Sequence, residues 1–136
     1  MPIIVPDPPS NQIIVPREAE LKFQRRNTEW FIAWNPVEIQ LIPKTKVRTG
    51  TGTKETDGTP KALQTLRLIP QSETTPPVLI EDGVERVIDF ILLGPWNADM
   101  TVGDHWRDAL DFYHEILNVT TNGYEVKGMV QRHGAR

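Results

Sequence analysis

The 136-residue chain contains no cysteine, which excludes disulfides, thiol nucleophiles and cysteine-ligated zinc together. No apolar run approaches the roughly 20 residues needed to span a bilayer. The opening residues, Met1-Pro2-Ile3-Ile4-Val5-Pro6-Asp7-Pro8-Pro9, are too broken by proline for a signal peptide. A soluble protein made inside the cell, without a membrane partner, is expected. Serine is scarce: Ser10 and Ser72 lie in proline-rich stretches, and neither sits in a nucleophile-elbow setting. His105, His114 and His133 stand at no spacing that metal sites favour. Asp99, Asp104, Asp108 and Asp111 occupy turn-like positions, where bonding to the local backbone accounts for them. Gly50-Thr51-Gly52 lacks the glycine spacing, the following helix and the Gly-Lys-Ser/Thr of a phosphate cradle. The residues therefore suggest no cofactor, no metal and no catalytic group, and a small hydrolase is the poorer reading.

A hydrophobic content of 38% is low and 12 prolines is high, which suits one modest core with extended attachments. The net charge of −3 argues against a general nucleic-acid binder, and no basic face with interleaved aromatics supports a free-standing binding barrel. Charge is unevenly spread: residues 1–80 hold ten Lys/Arg against eight Asp/Glu, and residues 81–136 hold five against ten. Such a split suits a subunit whose opposite faces meet different neighbours, although uneven scatter explains it as well.

The densest apolar run, Val84 to Leu93, is rich in strand-favouring residues. It reads as one strand with Ile88, Phe90 and Leu92 on one face and Val87, Ile91 and Leu93 beside Asp89 on the other. Apolar groups on both faces imply a central strand, or one with a side covered by a partner. Gly94-Pro95 ends the run, since proline cannot continue a ladder and glycine relaxes the backbone. A turn at Gly103-Asp104 precedes Trp106. Strand, corner and re-entry make the plan of a small barrel or sandwich.

Before this run, residues 1–19 read as an extended proline-rich arm, followed by a barrel domain over 20–136. Ile3-Ile4-Val5-Pro6 is repeated as Ile13-Ile14-Val15-Pro16, and proline at this density forbids helix and favours a polyproline-like path. Those six apolar residues are candidate subunit contacts, lying along the chain's own barrel or on a neighbouring copy, unless the terminus is simply frayed. Leu21 and Phe23 alternate with charges, Arg25-Arg26-Asn27 reads as a turn, and Trp30, Ile32 and Trp34 alternate as a strand with both tryptophans in the core. Val37, Ile39 and Leu41 resume the alternation until Pro43.

Residues 43–62, rich in glycine and threonine, form a long loop or hairpin with the Gly-Thr repeat at its tip; Lys44, Lys46, Arg48, Lys54 and Lys61 outnumber Glu55 and Asp57 there. Leu66, Leu68 and Ile69 form a strand closed by Pro70, Gln71 to Pro77 is loop, and Glu81-Asp82-Gly83 is a turn. Residues 107–119 fit either a helix or a strand. Asn122-Gly123, a strong type I′ hairpin signal, decides for a hairpin pairing about 113–121 with 124–131. Mainly β, a small antiparallel barrel, is the expected fold.

The order Leu66-Arg67-Leu68-Ile69-Pro70-Gln71-Ser72, Asp82-Gly83-Val84-Glu85-Arg86-Val87-Ile88-Asp89, Leu92-Leu93-Gly94-Pro95-Trp96-Asn97-Ala98-Asp99, Val102-Gly103-Asp104-His105-Trp106 and Asn122-Gly123-Tyr124-Glu125-Val126-Lys127 resembles the head-to-tail stopper (head-closure, or connector) proteins of long-tailed phages. It is most similar to those of phages infecting actinobacteria. The likeness covers roughly residues 38–133 and rests on the order of short, non-catalytic motifs. It implies an SH3-like, head-closure type of barrel that forms a ring, six- or twelve-fold, in the virion neck, after a period in the host cytoplasm. The implied partners are the portal-adaptor ring above, the tail terminator or tail tube below, and packaged DNA, held non-specifically in the channel. A loop of the family often reaches that channel, and Lys44, Lys46, Arg48 and Lys54 are then the candidate DNA-facing residues. A tail terminator or an adaptor is the alternative neck component. Arg107–Asp111 is less turn-like than the family's equivalent hairpin.

Overall fold

The computed structural model describes residues 14–71 and 77–133. The described chain runs α1 (Ile14–Trp34), β1 (Val37–Ile39), β2 (Lys44–Thr49), β3 (Gly52–Asp57), β4 (Gln64–Pro70), β5 (Val78–Glu81), β6 (Val84–Val87), β7 (Phe90–Pro95), β8 (His105–Arg107), β9 (Tyr113–Thr121) and β10 (Glu125–His133). Six strands form one antiparallel sheet in the order β1-β4-β7-β10-β9-β8, while β2–β3 and β5–β6 are separate two-stranded ribbons. The two edges of the sheet meet just beyond β1: the Ile42 N–H donates to the His105 carbonyl at 2.9 Å, and the His105 N–H to the Ile42 carbonyl at 3.0 Å. The fold is thus mainly β, a small antiparallel barrel closed by a seam one residue pair wide. Closure removes the open edges that would otherwise invite pairing with other chains.

Alternation fills the barrel. Ile39 and Leu41 after α1, Leu66 on β4, Leu92 on β7, Trp106 on β8, Ile116 on β9, and Val126 and Val130 on β10 form its core with Met100. Gly128 lies between the two valines on the same face, where a β-carbon would stand 2.7 Å from the Met100 sulfur. The strand reading of residues 113–119 holds. Leu117 is an extra residue in β9, because Val130 pairs with Ile116 and Met129 with Asn118. This bulge shifts the phase by one and turns Val119 inward with Ile116. The residues before it make a compact turn, with the Asp108 carboxylate accepting from the N–H groups of Leu110 (2.8 Å) and Phe112 (3.0 Å).

Several expectations need correction. The extended arm read over 1–19 and the strands read from Glu20 to Trp34 give way, from Ile14 onward, to one helix. Pro16 fits in its first turn, where a missing N–H costs nothing. Residues 17–26 are mostly strong helix formers. Leu21, Gln24, Arg25, Thr28 and Ile32 recur at helical spacing on the less exposed side, with Ile32 buried. Trp30 and Trp34, expected in the core, are instead 65% and 72% exposed. Ile3, Ile4, Val5 and Ile13 lie outside the described residues, and Ile14 and Val15 open the helix.

Val84–Leu93 is two strands rather than one. Val84–Val87 pairs with β5 across Asp82-Gly83, whose φ values of 51° and 77° are the two positive values a type I′ turn requires. Phe90–Pro95 lies between β4 and β10. Asp89 is the corner between them: its N–H donates to the Val130 carbonyl at 2.9 Å, and its carboxylate accepts the Arg132 N–H at 2.7 Å. β7 is the central strand its two-sided pattern implied. The face opposite the core, carrying Ile91 and Leu93, turns toward α1 of the same chain across a groove of about 600 Å³. Arg25 and Arg67 pin the helix there. The Arg25 Nε donates to the Gly123 carbonyl at 2.9 Å beneath its stacking on Trp96, and Arg67 donates to the Phe31 carbonyl at 2.8 Å.

The β9–β10 hairpin forms in nearly the expected register, but not through a type I′ turn at Asn122-Gly123. Only Gly123 takes a positive φ, 93°, and Asn122 instead uses its side-chain oxygen to accept the N–H groups of Tyr124 and Glu125. Gly94 does not end β7 either: it pairs with Val126 inside the sheet, and its missing side chain leaves room for Ala98 and Leu66.

Candidate functional site

The stretch 43–62 leaves the barrel at Pro43 and returns at Lys61, on either side of the closing seam. Between them β2 and β3 pair throughout, from Lys44 opposite Asp57 to Thr49 opposite Gly52. All twelve strand residues are exposed. Strand propensity is supplied by Thr45, Val47, Thr49, Thr53 and Thr56, and Gly50-Thr51 makes the tip. The loop or hairpin expected from the sequence is therefore a projecting ribbon.

Its root is clamped. The Gly58 N–H donates to the Pro43 carbonyl at 2.7 Å, and the Lys61 N–H to the Leu41 carbonyl at 2.8 Å. Lys44 Nζ meets Glu115 of β9 at 2.8 Å, and Asp57 meets His105 Nε2 of β8 at 2.9 Å. The hydrogen bond to Glu115 outweighs partial burial and raises the Lys44 pKa. For Glu115, burial pushes upward, but the bond to Lys44 prevails and holds its carboxyl below the usual range. Behind the seam, Asp104 is buried and accepts from Lys61 Nζ (2.7 Å), the Thr101 N–H (2.9 Å) and the Thr101 hydroxyl (2.9 Å). Lys61 also reaches Asp99 at 2.9 Å. Burial pushes the Lys61 ammonium toward neutrality, yet its bonds to Asp104 and Asp99 raise its pKa overall. None of these clamp residues was singled out for that role from sequence, because Lys61 and Asp104 are 43 positions apart and meet only through barrel closure.

The four candidate DNA-facing cations do not form one cluster. Lys44, Lys46 and Arg48 alternate along one face of the ribbon, while Lys54, opposite Val47, lies on the other. Lys44 is held at the root by Glu115. Lys46 is opposite Glu55, and both line a crevice of about 350 Å³ with Arg86 and Val102. Arg48, beside the tip, and Lys54 stand farther out. Cations thus lie on both faces of the ribbon, from its root to beside its tip.

The histidines take up structural positions. His114 is buried, stacks on Trp106 at 4.7 Å between ring centroids, and donates from Nε2 to the Asp108 carboxylate at 3.0 Å. That bond, with backbone N–H groups, lowers the Asp108 pKa. His133 lies 3.5 Å from Glu115. Among the described residues no three His, Asp or Glu side chains converge as a metal ion would require.

No family model, no curated protein and no solved structure matches this chain.

Proposed function

We propose that this chain is a structural neck subunit of a long-tailed phage virion. Copies form a ring between the portal-adaptor ring and the tail, close the DNA exit channel after packaging, and offer the surface to which the tail attaches. The observation that carries the reading is the ribbon β2–β3: twelve exposed residues projecting from the closing seam of a small barrel, with cations on both faces. Its own fold leaves it uncovered, and a channel filled with DNA supplies the polyanion its charges suit. The motifs that carry the likeness to stopper proteins support the same reading, since they build the Asp82-Gly83 turn, β7, the seam at His105 and the β9–β10 hairpin. The role is mechanical rather than catalytic.

The test is electron microscopy of the purified protein and of virions carrying a label on the subunit. Rings with a central hole, and label at the capsid vertex above the tail, are expected. Label elsewhere in the virion, or none, would sink the proposal.

A further inference from the structure

His105 stands at two junctions at once. Its backbone closes the seam with Ile42, and its side chain, on a residue only 5% exposed, holds the root of the ribbon. The imidazole has an acceptor at each nitrogen: the Gly103 carbonyl lies 3.3 Å from Nδ1, and the Asp57 carboxylate 2.9 Å from Nε2. A carbonyl and an ionised carboxylate only accept, and a neutral imidazole carries a single N–H. Both contacts are hydrogen bonds only when the side chain is an imidazolium. His114 shows the contrast. It has the Asp108 carboxylate at Nε2, but its Nδ1 is buried with no partner, so one N–H serves it.

Charged and titratable groups approach this imidazole from several strands. Asp57 reaches it from β3. Tyr113 of β9 lies against it at 5.3 Å between centroids. Glu38 of β1 and Arg107 of β8 line the same crevice, with Arg107 engaged by Asp111 at 3.5 Å. Glu115, opposite His105 in the β8–β9 register, is shared by Lys44 at 2.8 Å and His133 at 3.5 Å. Asp104, the preceding residue, is taken up by Lys61 and Thr101. Among the described residues, Asp57 is the carboxylate bonded to His105.

We infer that His105 is a proton-operated latch between the ribbon and the barrel. With both nitrogens protonated, it ties β3 to the seam by a charge-assisted bond to Asp57 and is braced from behind by Gly103. Loss of one proton leaves a lone pair facing an acceptor and reduces the remaining contact to a bond of about half the strength. The latch is therefore closed above about pH 4, where carboxylates ionise, and loosens as pH rises through the titration of the imidazole, near 6.5 for an ordinary histidine. It belongs to the single chain and does not depend on assembly.

Two measurements on the full chain between about pH 5 and 9, spanning the ordinary histidine range, test the latch. Nitrogen NMR follows the His105 imidazole, and hydrogen exchange, expressed as protection factors, follows the amides of Ile42, Gly58 and His105 at the ribbon's root. One titration step should take His105 from two N–H groups to one. Over the same interval the protection of these amides should fall about three-fold, a modest change because exposure of Asp57 screens the charge. Asp57→Asn, at a side chain 71% exposed and so tolerant of change, should show the lower protection at every pH, without the step. His133→Gln, which removes the other histidine near Glu115, should keep the step. An imidazole that holds one protonation state throughout, or protection that ignores its titration, would overturn the inference. So would a step that survives in Asp57→Asn or disappears in His133→Gln.

Discussion

A single methyl group is enough to disturb this barrel at Gly94. A β-carbon there would lie 2.6 Å from the Ala98 β-carbon, which has no side-chain end to withdraw, and 3.0 Å from a methyl of the fully buried Leu66. Gly94→Ala should cost about 1–3 kcal/mol in urea unfolding. Gly128→Ala should cost less, because its closest neighbour is the adaptable Met100 sulfur at 2.7 Å. A larger loss at Gly128 would contradict this account. Asp108 governs a different response. Its pKa is lowered by the bond to His114, so its contribution is fully present above the unfolded carboxylate value, about 4. The contribution is lost as pH falls through the lower folded value. The stability difference between the parent and Asp108→Asn, measured by urea midpoints, should therefore shrink below about pH 4. A difference that stays constant down to pH 2 would show that Asp108 acts without its charge.

At the scale of elements, the ribbon and the seam behave oppositely. Lys46, Arg48 and Lys54 are exposed. Replacing all three by glutamine, which sets no like charge opposite Glu55, should leave unfolding within about 0.5 kcal/mol of the parent. On the proposed neck function, the same change should weaken binding to duplex DNA and reduce the salt dependence of that binding, by about one unit of log–log slope for each phosphate that is no longer neutralised. An unaltered slope would remove these residues from the DNA-facing surface. Asp104 lies on the protected side of the same junction, buried with Lys61 and Thr101. Asp104→Ala should cost about 3 kcal/mol, because it leaves a partly buried ammonium and an amide short of their acceptor. Asp99 keeps part of the ammonium satisfied, which sets this change below the loss of a fully buried pair. The helix was the element least legible in the residues. Trp30, Ile32 and Trp34 alternate like a strand, and the helical stripe Leu21, Thr28, Ile32 is interrupted by Gln24 and Arg25. Arg25 sits there because it is spent on Gly123 and Trp96, partners distant in the chain.

For the whole molecule, the narrowest link is the pair of hydrogen bonds between Ile42 and His105. It closes a sheet whose other neighbours pair over longer runs, such as the eight registered pairs of β9 and β10. Native-state hydrogen exchange should therefore find the amides of Ile42 and His105 opening before those of Val126 and Gly128 in β10. Equal protection at all four would mean that the barrel opens only by global unfolding. The ribbon springs from this seam, so load applied to it is delivered to the clamps at Lys44, Asp57 and Lys61.

The sequence by itself determined the mainly β class, the alternation of β1 and β10, the turns at Asp82-Gly83 and around Gly103, and that residues 43–62 leave the core as a long loop or hairpin. These follow from local preferences, which need no knowledge of what lies across a face. The phase of β9 was legible only in part, because the bulge at Leu117 breaks the alternation that a strand reading depends on. Tertiary structure alone decided that α1 lies outside the sheet, that Asp89 divides the apolar run, and that Asp104 is buried beside Lys61. It also decided which face of β7 meets the helix and that the two tryptophans remain outside. The physical reason is common to all of these. A side chain's period states which residues share a face, but only the closed barrel states what covers that face, and the energy of burial belongs to the covering.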